Sequence, residues 1–106
     1  MKSDAVKERW DVWTAFVRYR NDAHGKVRPV IVIDDLIVLC LCMPTTTTKK
    51  DERYGIEIEN WQYANLDEPS WVLMEYTEVK PNKFVKRIGT LHEDDIRAIK
   101  ERLRGE

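Results

Sequence analysis

Glycine, proline, cysteine, histidine and serine are all scarce in this 106-residue chain, and each scarcity removes a class of function. The four glycines, Gly25, Gly55, Gly89 and Gly105, stand far apart and build neither a phosphate-cradling loop nor a dinucleotide fingerprint. Ser3 and Ser70 are the only serines, and without a Gly-x-Ser-x-Gly elbow a serine hydrolase has no nucleophile. His24 and His92 are the only histidines, and with Cys40 and Cys42 they match no zinc-ligand spacing, so neither a metal nor a cofactor is expected. Two cysteines so close together make no disulfide framework, which fits a reducing cytoplasm. The longest apolar run, residues 36–44, is less than half of the ~20 residues a membrane-spanning helix needs. The opening Met1-Lys2-Ser3-Asp4 leads into no signal-peptide core, and a cytoplasmic protein without membrane contact is expected. Lysine and arginine number 18 against 19 acids, a formal charge of −1, so any contact with nucleic acid must be local.

What is present reads as one domain spanning residues 1–106. Apolar residues make up 42% of the chain, enough for a core, while charged residues at 35% exceed the usual ~25%. From Trp10 to Tyr19, β-branched and aromatic residues alternate, with Trp13, Ala15, Val17 and Tyr19 on one face and Val12 and Phe16 on the other. A turn at residues 21–25 hands over to a second strand from Arg28 to Ile33, led by a proline. Asp34-Asp35 turns the chain into Leu36–Met43, apolar on both pleat faces and therefore central in a sheet. Short strands follow at 54–58, 71–76 and 84–88, with a helical turn at 60–66. From Glu93 to Arg104, Ile96, Ile99 and Leu103 recur at helical spacing. Leu91 and Ile96 suit a staple around a cap at His92, with Thr90 and Glu93 as the competing capping box. The sum is a mainly β fold, a strongly bent sheet or open barrel with a C-terminal helix.

Chemistry concentrates in two places. Pro29 biases Arg28 toward extended backbone and so fixes how its guanidinium leaves the strand, and a planar permanent cation suits a phosphate. An ordinary surface arginine is the plainer reading of the dipeptide alone. After Pro44, Thr45-Thr46-Thr47-Thr48-Lys49-Lys50 combines hydroxyl donors with ammonium groups, which suits an anion as well as it suits a solvated loop. Lys80, Lys83, Lys86 and Arg87 fall in an eight-residue window without an acid, a basic patch or simply a lysine-protected edge strand. Four tryptophans could stack bases if exposed, although in so small a domain the core is their commoner place.

Taken in order, Asp11-Val12-Trp13, Lys26-Val27-Arg28-Pro29-Val30-Ile31-Val32-Ile33, Leu39–Thr46 with its Pro-x-Thr ending, Leu66–Val72 and Ile88–Leu91 resemble the MazF/PemK family of toxin–antitoxin ribonucleases. The resemblance implies a small SH3-like barrel of the MazF/PemK/CcdB type, a homodimer, a cognate antitoxin protein as partner, and a metal-independent, sequence-selective endoribonuclease acting on single-stranded RNA. It places the catalytic pair on Arg28 and Thr46, with His24, Lys26, Thr47, Lys49 and Glu75 as substrate-binding candidates. RNA brings its own nucleophile, the 2′-hydroxyl, so the enzyme has to orient and neutralise. A guanidinium is a poor base, which leaves that role to Glu75 or His24. The chain departs from the family at the loop before Lys26, which lacks Gly-x-Glu, and at Glu75-Tyr76, where many relatives carry Asp-Gln. The alternative is a non-catalytic protein of the same fold that binds an antitoxin peptide, gyrase or RNA without cutting.

Overall fold

The computed structural model describes residues 7–18, 25–42 and 54–105. Seven strands form one antiparallel sheet: β1 Asp11–Val17, β2 Lys26–Val32, β3 Ile37–Cys42, β4 Tyr54–Ile58, β5 Ser70–Leu73, β6 Thr77–Glu78 and β7 Phe84–Thr90. They lie in the order β4-β5-β3-β2-β1-β7, and the short β6 shares an edge of β3 with β5. Among the described residues one α-helix, α1, runs from Glu93 to Gly105. The mainly β class with a C-terminal helix, read from the sequence, holds.

The residues explain why these strands sit where they do. Val38, Leu39, Cys40 and Leu41 are all buried, the signature of a strand covered on both faces, and β3 lies inside the sheet as its apolar run requires. Asp34-Asp35 closes the β2–β3 hairpin, with Asp34 N–H donating to the Ile37 carbonyl at 3.1 Å. Pro29 stands one residue short of the β2–β3 register, which begins at Val30, so its missing N–H interrupts no bond in that ladder.

Alternation divides the apolar residues between two cores. Val12, Ile31, Leu39, Leu41 and Val72 pack with Ile58, Ala64, Leu66, Leu91 and Ile99. On the opposite face Trp13, Ala15, Val17, Val30, Val38 and Cys40 pack with Leu73, Val79 and Phe84. Burying a side chain such as Ile99 contributes about 1.5–3 kcal/mol, and this is what docks α1.

The turns at residues 59–65 bend the first core into a barrel-like shape by reaching from β4 to β7. Asn65, at φ 63, donates from Nδ2 to the Ile88 carbonyl at 2.8 Å, and a Cβ on Gly89 would lie 2.5 Å from the Ala64 carbonyl oxygen. Only a glycine lets the two backbones approach so closely. Asp95, buried in the first turn of α1, accepts from the N–H groups of Glu59 and Asn60, both at 3.0 Å, and from Asn60 Nδ2 at 3.2 Å.

β7 is an edge strand with two register shifts against β1. Ala15 pairs with Phe84, Thr14 with Lys86, Trp13 with Arg87 and Val12 with Gly89, leaving Val85 and Ile88 as the extra residues. Among the described residues, no helix is long and apolar enough to cross a membrane.

Candidate functional site

β2 begins at Lys26 and exposes its first two residues before diving into the core at Val30, so Arg28 sits at the boundary, half-buried, with its Nε covered. The β2–β3 register stops at Val30–Cys40, two residues short of the end of β3 at Cys42, and Leu41 of β3 lines the same cleft as Arg28. Arg28 therefore stands near the end of the central strand.

A cleft of about 630 Å³ opens at this end of the sheet. One wall comes from the sheet: Lys26, Val27, Arg28 and Pro29 of β2, Thr14 of β1, and Lys86 and Ile88 of β7. The other comes from the segment between the turns and β5, namely Asn65, Leu66, Asp67, Glu68 and Ser70, with Leu41 between the two walls. Three cations thus face two carboxylates across an open groove. The cations favour a phosphate, and the carboxylates can accept a proton or a base amino group.

Of the residues named from the sequence, Arg28 and Lys26 meet in this cleft. Glu75 does not line it. Glu75 is half-buried between β5 and β6, its N–H donating to the Leu73 carbonyl at 2.8 Å. It lies near the Thr77–Val38 pair, several residues along β3 from the Cys42 end where Arg28 stands. His24, Thr46, Thr47 and Lys49 lie outside the described residues, so the pairing of Arg28 with Thr46 is not described. The cleft also contains Thr14, Asn65, Asp67 and Glu68, none of which stood out as site residues in the sequence, and Lys86, which stood out only within the basic window of residues 80–87. The segment carrying Asp67 and Glu68, Leu66–Val72, did stand out as a family signature, and that was the available signal. Among the described residues, no three His, Cys, Asp or Glu side chains group as metal ligands.

The fold and the cleft define a small barrel-like β protein with a charged groove beside an Arg-Pro strand. Residues 8–105 match the family of PemK-like, MazF-like toxins of type II toxin–antitoxin systems, and the chain belongs to that family. A search of the curated proteins gives no match.

Proposed function

We propose that the protein is the ribonuclease toxin of a type II toxin–antitoxin pair, cutting single-stranded RNA in the Arg28 cleft. The observation that carries this reading is the position of Arg28, held on β2 by Pro29 and opening with Lys26 and Lys86 onto one groove of phosphate-accommodating size. Family membership supports it.

In this mechanism the 2′-oxygen attacks the adjacent phosphorus, the bond from phosphorus to the 5′-oxygen breaks, and the products carry a 2′,3′-cyclic phosphate and a 5′-hydroxyl. Arg28 binds the non-bridging oxygens, meets the negative charge that builds on the phosphorane, and directs an N–H toward the leaving oxygen. Thr46 follows Cys42, the last residue of β3, by four residues, and by the family resemblance its hydroxyl anchors a non-bridging oxygen of the same phosphate. The 2′-hydroxyl proton goes to Asp67 or Glu68, the carboxylates that share the cleft with Arg28, in preference to Glu75. No step requires a metal. The partner is a cognate antitoxin whose binding closes the cleft, and the toxin acts as a homodimer in the cytoplasm, where its substrate is.

The test is cleavage of single-stranded RNA in EDTA by purified protein, with end groups identified. Arg28→Ala is expected to lose about 10²–10³-fold in rate with its fold intact. In the same assay the base, removed as Asp67→Asn or Glu68→Gln, costs about 10²-fold or more. Undiminished cutting by Arg28→Ala would overturn the mechanism, and full rates in both carboxamide variants would remove the cleft acids from the chemistry.

A further inference from the structure

Trp13 and Thr14 are neighbours in the chain, but β1 turns them to opposite faces of the sheet. Thr14 lines the Arg28 cleft. Trp13 lines a second cleft of about 440 Å³, formed with Lys7, the turn at Pro81 and the first half of β7. Lys86, paired with Thr14 in the ladder, lines both.

The second cleft has a one-sided charge. Among the described residues, Lys7, Lys86 and Arg87 line it and no carboxylate does. Arg87 is anchored through Nε to buried Asp11 at 3.3 Å, which fixes the guanidinium while leaving the side chain half exposed. The Lys7 ammonium lies 4.5 Å from the Phe84 ring centre and 5.9 Å from that of Trp13, and the two rings meet edge to face at 5.8 Å.

Trp13 is only 6% exposed, yet its indole Nε1 is buried with no hydrogen-bond partner. The indole is thus packed into the wall of the cleft beside the three cations, where its N–H resonance reports on an occupant. Three cations around the cleft select an anion.

We propose that this cleft is a second phosphate subsite for single-stranded RNA. In it Lys7, Lys86 and Arg87 balance the charge of the phosphate, which lies against the wall that Trp13 forms with Phe84. The proposal rests on the ribonuclease reading of the first cleft. Continuity favours RNA over an acidic peptide: Lys86 borders both clefts, so a chain carrying one negative charge per nucleotide can leave Arg28, cross β7 at Lys86 and enter the second cleft.

The experiment titrates the ¹⁵N-labelled wild-type protein with fully 2′-O-methylated single-stranded RNA, which lacks the attacking hydroxyl. The Trp13 indole resonance, identified by its loss in Trp13→Phe, is expected to shift. Lys7→Gln is expected to weaken binding several-fold and to lower the slope of log affinity against log salt by about 0.7, the value of one phosphate contact on a single strand. An unmoved Trp13 indole in a protein that still cuts unmodified RNA overturns the subsite and leaves the ribonuclease reading standing. A shift with poly-glutamate but none with RNA overturns it in favour of a protein partner. RNA neither bound nor cut overturns both readings together.

Discussion

Asp95 shows how a single side chain can hold a functional wall in place. Its carboxylate sits in the first turn of α1, where the helix dipole favours negative charge, and it accepts three hydrogen bonds from Glu59 and Asn60. Those residues open the turns that end at Asn65 and lead to Asp67 and Glu68, so the helix and the acidic side of the cleft share one anchor. Asp95→Ala leaves two backbone donors unsatisfied and is expected to cost about 3 kcal/mol, read as a lower urea midpoint with an unchanged slope. The same residue marks a limit of sequence reading. In the sequence it is simply one of several acids early in a helix, and nothing local reveals that it bonds to a turn 35 residues upstream. Arg28 was legible because a local rule, the conformational bias imposed by Pro29, acts on the adjacent residue. Asp67 and Glu68 were not, and Lys86 was so only as one of a basic window, because what makes them site residues is the approach of β7 and the 59–65 turns to β2.

Among the elements, strands with one clear apolar period could be read closely. β4 falls at the expected residues 54–58, and the alternation of Trp13, Ala15 and Val17 against Val12 separates the two cores as the pattern indicates. The Asp34-Asp35 turn and the central place of β3 also follow from the sequence. β5 stops at Leu73, short of the expected 76, because β3 is handed over to β6 at Thr77–Glu78, a two-residue strand too short to leave a pattern. β7 resists reading for a different reason. Its two bulges put Phe84 and Arg87, three apart, on the face of Ala15 and Trp13, which a period of two forbids. The helix start resolves in favour of His92: its Nδ1 accepts from the Asp94 N–H at 3.0 Å, Leu91 and Ile96 both pack on the first core, and the Thr90 hydroxyl donates instead to the Trp10 carbonyl at 3.3 Å. His92→Ala is therefore expected to destabilise the protein by about 1 kcal/mol, seen as a lower thermal midpoint, whereas His92→Asn retains the cap and most of the stability. Equal losses in the two variants would remove the capping role.

For the whole molecule, the decisive contact is the one that brings the 59–65 turns onto β7. Gly89 and Asn65 make it, and it sets the two walls of the Arg28 cleft facing each other. Gly89→Ala drives a Cβ into the Ala64 carbonyl, and because the obstacle is backbone it cannot rotate away. The expected loss is about 1–3 kcal/mol, together with a fall in RNA cleavage measured where the variant is still fully folded, since the acidic wall shifts with the turn. Unchanged stability would show that the two backbones can separate at no cost. The barrel-like closure was legible only as a class, from many short strands and one helix. Which turn meets which strand depends on shapes that no local pattern encodes.

The bulged course of β7 has a consequence for how copies of the protein meet. A strand that is kinked twice, carries Lys86 and Arg87 and holds its Ile88 carbonyl against Asn65 offers no straight row of free amide groups to another molecule. Fibrillar stacking through this border is discouraged by shape and by like charge.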